Sequence, residues 1–139
     1  MKANKNKIIG NNFEQELCKI LFKNRFWAHN FAQKSSGQPC DIVCARNGKA
    51  YLIDCKVVST EIGFQLSRIE DNQDSSMKLW KAFYGTSGWF AIKYENYDNE
   101  IYMLPHDFLD DIRLKKTTVK YHETGEFGLI TLEEWLNAS

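Results

Sequence analysis

The 139-residue sequence lacks the features that mark membrane, secreted and disordered proteins. No apolar run approaches the roughly 18 residues that a membrane span needs, and the basic N-terminus lacks the apolar core of a signal peptide. Only two prolines are present and 43% of the residues are hydrophobic, which argues against a disordered chain. We therefore expect a single domain over residues 1–139, located in the cytoplasm, with residues 1–8 as a flexible basic extension.

Cysteine-based metal binding and disulfides are also disfavoured. No C-x-x-C pair occurs among the four cysteines, which are Cys18, Cys40, Cys44 and Cys55. The spacing that is typical of a zinc site is therefore missing. We expect these residues to be reduced, buried side chains of small size.

The net charge is zero, but the charges are distributed unevenly along the chain. Residues 1–60 contain ten Lys or Arg and four Asp or Glu, which gives +6. Residues 61–139 contain eight and fourteen, which gives −6. This asymmetry indicates one basic face suited to nucleic acid, unless folding interleaves the two halves and cancels the field.

The first half of the chain has the pattern of one helix followed by strands. Apolar periodicity predicts a helix over about residues 11–25 and a strand over residues 26–33. A hairpin is expected over about residues 39–58, because Asn47-Gly48 is a strong signal for a type I′ turn.

The second half alternates helices and strands in the same way. Ser67 and Glu70 have the spacing of a capping box, which predicts a helix that ends near Tyr84. Other expected elements are strands at 89–94, 101–104 and 117–121, a short helix after Pro105, and a terminal helix capped by Thr131 and Glu134. The order predicts an α/β domain with helices on a mixed sheet.

Two acidic residues lie in the arms of the otherwise apolar hairpin. With a two-residue turn at Asn47-Gly48, Asp41 would face Asp54 as a close pair. Like charges directly opposite each other destabilise a sheet unless they share a proton or a cation. Because Mg²⁺ accepts one or two carboxylates with waters and substrate phosphate, the pair is a candidate metal site. Lys56 projects from the same face and can assist an attacking water, or all three are solvated charges at frayed strand ends.

Two more polar residues fall on apolar helix faces. At about 100° per residue, Glu14 lies inside the stripe that contains Leu17 and Leu21, whereas Glu16 lies at its border. A glutamate directed inward needs a metal, a basic partner or a path back to water. On the second helix, Gln73 either holds a water or phosphate oxygen near the site or is a satisfied core amide.

Taken in order, Glu14, Asp41, an Asn-Gly hairpin and Asp54-Cys55-Lys56 resemble the PD-(D/E)XK nuclease superfamily. The segment Gly10-Asn-Asn-Phe-Glu14 is similar to the G-x-x-x-E opening of the Holliday-junction resolvases in that superfamily. The resemblance covers about residues 8–94. It implies an α/β, restriction-endonuclease-like fold, with a mixed β-sheet core flanked by helices on both faces.

A branch of the family is also suggested. Phe64-x-Leu, followed by Gln73 and the strand WFAIKY, looks like the RecU-type resolvases, which phages often carry.

The resemblance further implies a role for each matching residue. Asp41 and Asp54 match the metal-binding carboxylates, Cys55 would add its backbone carbonyl, and Lys56 matches the catalytic lysine. Glu14 matches a helix glutamate that assists metal binding, and Gln73 matches a helix glutamine near the catalytic site. A serine-containing loop of the resolvases corresponds to Ser35 and Ser36. The candidates for DNA contacts are Lys19, Lys23, Arg25, Lys34, Ser35 and Ser36.

The function implied is Mg²⁺-dependent hydrolysis of DNA phosphodiester bonds, with Mn²⁺ as a substitute, by an endonuclease specific for Holliday junctions or other branched DNA. A homodimer is implied because two strands must be cut symmetrically, and no membrane partner is expected. Two alternatives stay open. One is a restriction-like or repair nuclease that acts on duplex DNA, and the other is a non-catalytic DNA-binding protein that retains the fold.

Overall fold

A computed structural model describes the backbone of residues 2–31 and 38–139, with side chains from Asn12 onward in those ranges. The helices are α1 (Lys2–Lys23), α2 (Asp71–Tyr84), α3 (Leu109–Arg113) and α4 (Leu132–Ala138). The strands are β1 (Trp27–Asn30), β2 (Ile42–Arg46), β3 (Lys49–Val58), β4 (Phe64–Gln65), β5 (Trp89–Tyr94), β6 (Glu100–Pro105), β7 (Thr118–Val119) and β8 (Ile130–Thr131). Single 3₁₀ turns occupy Leu66–Arg68, His106–Phe108 and Tyr121–Glu123.

The main sheet has six strands in the order β1-β2-β3-β5-β6-β8. Strands β3 and β5 pair in parallel, and the other neighbours are antiparallel. The predicted mixed sheet is therefore confirmed. The strand expected near residues 117–121 is present as β7, but it pairs with the short β4 outside the main sheet.

Helices cover both faces of the sheet, as the sequence predicts. Alternate residues of β5 belong to different apolar clusters, with Phe90 in one and Ala91 in the other, because successive side chains of a strand point to opposite faces. The cluster around Ala91 includes Leu17 of α1 and Trp135 of α4. The cluster around Phe90 includes Met77 of α2 and also residues of α3.

The Asn47-Gly48 hairpin has the predicted register. Pairing runs from Arg46↔Lys49 at the turn to Ile42↔Ile53 at the far end. Asn47 and Gly48 have φ angles of 54° and 77°, and a type I′ turn needs positive φ at both positions. This register brings the start of β2 alongside the middle of β3.

The first helix and the first strand differ in extent from the prediction. Helix α1 starts at Lys2 rather than near residue 11, so the backbone expected to be a flexible extension is helical. No proline interrupts this segment, and the helix continues through Gly10 without a steric break. Strand β1 spans Trp27–Asn30, which is shorter than the predicted 26–33.

The predicted capping box at Ser67 and Glu70 is wrong. Helix α2 begins at Asp71, and Glu70 is its N-cap residue. The chain first buries Ile69 in an extended conformation, with φ −79° and ψ 117°, which delays the start of the helix. The Glu70 backbone N–H donates to Gln73 Oε1 at 3.0 Å, so Gln73 takes part in the cap. The helix ends at Tyr84, as predicted.

The terminal capping box is confirmed. Thr131 Oγ1 accepts from the Glu134 backbone N–H at 3.1 Å, and Glu134 Oε1 accepts from the Thr131 N–H at 3.0 Å. Helix α4 then places Trp135 in the core, where its ring stacks on Phe26 with centroids 5.4 Å apart.

Helix α2 packs very closely on the start of β5. A Cβ atom on Gly88 would lie 2.4 Å from Met77 Cγ, so a larger residue at this position would push the helix away from the sheet. Since Gln73 lies about one turn before Met77, this close packing also fixes its position over β3.

The four cysteines are free thiols, and Cys40 and Cys44 are buried. Burial is the main cause that raises the pKa of both thiols to about 12, which makes them unreactive. In the part of the chain that the structure describes, no helix is long and apolar enough to cross a membrane.

Candidate active site

The site is centred on Asp54, in the middle of strand β3. Its side chain is fully buried, with 0% of its surface exposed. Asp54 Oδ1 accepts a hydrogen bond of 2.8 Å from Gln73 Nε2. Asp54 Oδ2 forms an ion pair of 3.0 Å with Lys56 Nζ, although no donor among the described residues meets it in good hydrogen-bonding geometry. Each oxygen of this buried carboxylate thus faces a polar group of the site.

Asp41 precedes β2 by one residue and lies beside the same part of β3. Its Oδ2 accepts from the Cys55 backbone N–H at 2.7 Å, and its own N–H donates to the Ile53 carbonyl at 3.1 Å. The side chain is buried, with 7% of its surface exposed. These contacts hold the Asp41 carboxylate at the level of Asp54 and Cys55 along the strand.

The buried position of Asp54 disfavours its negative charge. Burial raises the pKa of Asp54 well above its ordinary value, and the neighbouring Asp41 charge raises it further. Lys56 acts in the opposite direction and lowers the pKa of Asp54. Without a second cation, this arrangement favours a proton on Asp54.

Lys56 and Gln73 complete the polar cluster. Lys56 Nζ lies 3.4 Å from Gln73 Oε1, and 12% of the lysine side chain is exposed. Gln73 thus contacts Asp54, Lys56 and the Glu70 backbone at the same time. Sequence periodicity left open whether Gln73 was a site residue or a core amide, and the structure brings it into direct contact with Asp54.

Helix α2 is anchored next to Gln73 by a network that sequence reasoning missed. His106 Nε2 lies 2.6 Å from Asp74 Oδ1, and Arg113 Nη1 lies 3.2 Å from Asp74 Oδ2. Burial raises the pKa of Asp74, but the hydrogen bonds from His106 and Arg113, together with the nearby positive charges, outweigh burial and lower the pKa below its ordinary value. No local pattern links these residues, because they are 32 or more positions apart.

The helical-face prediction for α1 is confirmed. Glu14 is buried, with 3% of its surface exposed, whereas 46% of the Glu16 side chain is exposed. Glu16 forms a salt bridge of 2.8 Å with Lys93. Burial raises the pKa of Cys55 most, and the negative charges of Asp41, Asp54 and Glu14 raise it further.

The metal-binding set implied by the resemblance, which is Asp41, Asp54, the Cys55 carbonyl and Glu14, stays a prediction. Among the side chains that the structure describes, no group of three His, Cys, Asp or Glu forms a ready-made metal cluster. The aspartates themselves fit a hard cation. They are two adjacent buried carboxylates, and Mg²⁺ prefers hard oxygen ligands of this kind.

The candidate DNA-contact residues fall into two groups. Lys19, Lys23 and Arg25 are exposed, and Arg25 follows α1 with a φ of 67°. Because Trp27 pairs with Ala45, Arg25 lies near the hairpin turn, at the other end of β2 from Asp41. Lys34, Ser35 and Ser36 lie outside the described residues.

The mixed sheet, the helices on both faces and the Asp54-x-Lys56 strand define a restriction-endonuclease-like nuclease fold. The profile of the archaeal Holliday junction resolvase (Hjc) family matches residues 5–139, and the chain belongs to that family. The RecU-type branch suggested by the sequence stays a prediction.

A solved structure supports the same fold. Hjc from Archaeoglobus fulgidus, a Holliday junction resolvase from an archaeal hyperthermophile, superposes with a TM-score of 0.57 at 22% sequence identity. The match covers 71% of this chain and 78% of the archaeal one. No curated protein sequence matches this chain significantly.

Proposed function

We propose that this nuclease of the Hjc family cleaves four-way DNA junctions with Mg²⁺ held by Asp41 and Asp54. The observation that carries the proposal is the fully buried Asp54 carboxylate, ion-paired with Lys56, beside the second buried carboxylate of Asp41. Two such carboxylates are unfavourable in an apolar sheet unless a cation offsets their repulsion.

The metal ligands would be the two carboxylates together with the Cys55 backbone carbonyl, with waters and a DNA phosphate in the other positions. Bound Mg²⁺ would polarise the phosphoryl oxygens and lower the pKa of a bound water. Mn²⁺, which also prefers oxygen ligands, is expected to substitute.

Lys56 would act on the attacking water. Its ammonium is held between Asp54 Oδ2 and Gln73 Oε1, at 3.0 and 3.4 Å. An ammonium in this position can orient the water and stabilise the charge that develops on the phosphate. Gln73 would orient Asp54 through the 2.8 Å hydrogen bond to Oδ1, in the way that outer partners fix metal ligands.

Glu14 would assist metal binding from α1. It is buried, and its negative charge acts on Cys55, which lies between Asp54 and Lys56 in the chain. From there, its negative charge strengthens the field that favours a cation at Asp41 and Asp54.

A homodimer would allow two strands of a junction to be cut symmetrically. Helix α2 carries the exposed apolar side chains Leu79, Phe83 and Tyr84. A surface of this kind on a small domain marks an interface, and we propose that it pairs with a second copy. The cytoplasmic location expected from the sequence stays a prediction.

The proposed substrate can be tested with four-way junction, duplex and single-stranded DNA, each incubated with Mg²⁺ or with EDTA. We expect cutting of the junction alone, and only with Mg²⁺. Equal cutting of duplex would instead indicate a less selective nuclease. Junction binding without any metal-dependent cutting would contradict the catalytic proposal.

A further inference from the structure

A cleft opens at the end of strand β3, next to the candidate active site. Its volume is about 380 Å³, and Cys55 and Val57 of β3 form part of its wall. Cys55 and Val57 point to the opposite face of β3 from Asp54 and Lys56, so the cleft lies beside the catalytic residues along the strand and does not share their face. Among the residues that line it, Arg68 and Glu95 are the two that carry a charge.

Arg68 is fixed in this cleft by two contacts. Its Nη1 donates to the Val57 carbonyl at 2.8 Å, and its guanidinium carbon lies 5.8 Å from the centre of the Phe64 ring. Arg68 is the last residue of the 3₁₀ turn Leu66–Arg68, which lies just before α2 begins. The guanidinium is therefore held in place by a neutral carbonyl and an aromatic ring.

The positive charge of Arg68 is not neutralised within the described part of the chain. Among the described residues, no carboxylate forms a salt bridge with Arg68, although Glu95 lines the same cleft. A guanidinium has several N–H donors in a planar fork, and only one of them is used here. Planar forks of this kind bind phosphate with two hydrogen bonds, which lysine cannot do.

Arg68 also lies within electrostatic range of Asp54, because its guanidinium contacts β3 at Val57, the residue after Lys56. Partial burial lowers the pKa of Arg68, and the negative charge of Asp54 acts in the opposite direction. A phosphodiester placed at Asp41 and Asp54 would therefore have a cation on its β3 side. The neighbouring phosphate of the same strand would pass over the cleft.

We infer that Arg68 binds a DNA phosphate that neighbours the one cleaved, and that it sets the position of the strand across Asp54. This inference rests on the proposed function, and it assigns a contact that the sequence pattern did not single out. The residue acts by positioning the strand and takes no part in the proton transfers.

The test measures junction binding in EDTA over a range of salt concentrations, for wild type, Arg68→Gln and Arg68→Lys. Each phosphate contact contributes about 0.7–0.9 to the slope of log K against log salt. Arg68→Gln should reduce the slope by about that amount and weaken binding on the order of tenfold. Arg68→Lys should keep the slope, because it keeps the charge, but lose part of the affinity.

Two results would overturn the inference. One is an unchanged slope for Arg68→Gln, and the other is an equal loss of slope for both variants, which would indicate altered loop packing. If Arg68→Gln does not fold, Arg68→Lys alone tests the inference. A junction affinity of Arg68→Lys equal to that of wild type would exclude a bidentate phosphate contact. Lys115→Gln is the control for removing one surface charge, because Lys115 is an exposed lysine just after α3.

Failure of the inference can be told apart from failure of the proposed function. Wild-type protein is assayed in parallel for cleavage of the junction in Mg²⁺. Cleavage by wild type with no change in Arg68→Gln refutes only the role of Arg68. Absence of junction cleavage by wild type refutes the function on which it rests.

Discussion

Replacing Gln73 by leucine would show how far the buried Asp54 carboxylate depends on helix α2. The Gln73 amide donates to Asp54 Oδ1 at 2.8 Å, and its oxygen accepts from the Glu70 backbone at 3.0 Å and faces Lys56 at 3.4 Å. Leucine has nearly the same size but removes all three polar contacts. The substitution therefore isolates the polar role of the side chain from its packing.

The magnitude follows from these contacts. A hydrogen bond to a buried charged group contributes about 1.5–3 kcal/mol, and loss of a helix-capping contact costs about 0.5–1 kcal/mol. We expect Gln73→Leu to lower the free energy of unfolding by about 2–4 kcal/mol, the sum of the two contributions. Partners that orient metal ligands usually change metal affinity or activity by about 10–100-fold. The Mg²⁺ concentration for half-maximal junction cleavage should rise by a similar factor.

The assay is a Mg²⁺ titration of junction cleavage, combined with urea unfolding in EDTA. Gln15→Leu provides the matched control, because Gln15 is an exposed glutamine on α1. If both variants have the same Mg²⁺ requirement and the same stability, the Gln73 amide does not support Asp54. A loss of stability with an unchanged Mg²⁺ requirement would show that Gln73 serves only the helix cap.

Three other predictions concern charges around the sheet. Glu14→Gln should reduce junction cleavage more than Glu16→Gln in initial-rate measurements, because Glu14 is buried near Cys55, and equal losses would refute its role. In EDTA, the melting temperature should fall as the pH rises from near 3.8, the ordinary pKa of an aspartate, through the raised pKa of Asp54, because the folded state binds this proton more tightly than the unfolded chain does. Mg²⁺ should oppose the fall increasingly as the pH rises. A pH dependence that persists in Asp54→Asn would point to another group. Arg46→Ala should destabilise the protein by about 2–3 kcal/mol in urea titrations, because Arg46 donates to the Asn24 and Ser139 carbonyls and covers the Phe26 ring. A change below about 0.5 kcal/mol would contradict a stabilising role for these contacts.

The hairpin is where the sequence was most informative. A two-residue Asn-Gly turn allows one pairing scheme, so the neighbourhood of Asp41 and Asp54 follows from counting residues. The period of an α-helix likewise separates Glu14 from Glu16. Each of these two predictions depends on a single local rule, the register of a two-residue turn or the period of a helix, which tertiary contacts do not override.

Other parts could not be read from the chain. Strands β4 and β8 have two residues each, which is too short to show any alternation of polar and apolar side chains. The start of α2 was misplaced because burial of Ile69 competes with the capping signal at Ser67. The links of His106 and Arg113 to Asp74 depend on tertiary packing alone, and so does the position of Arg68 over the cleft.

The most direct test of the central claim is to measure Mn²⁺ and Mg²⁺ binding by calorimetry, without DNA, for wild type, Asp41→Asn and Asp54→Asn. The account predicts one site per chain in wild type, with affinity that falls on the order of tenfold or more in each variant, because each removes one of two charged ligands. Both variants should remain folded, since asparagine removes a repulsive buried charge. Metal affinity equal to that of wild type in folded Asp54→Asn would contradict the assignment of the hairpin aspartates as the metal site.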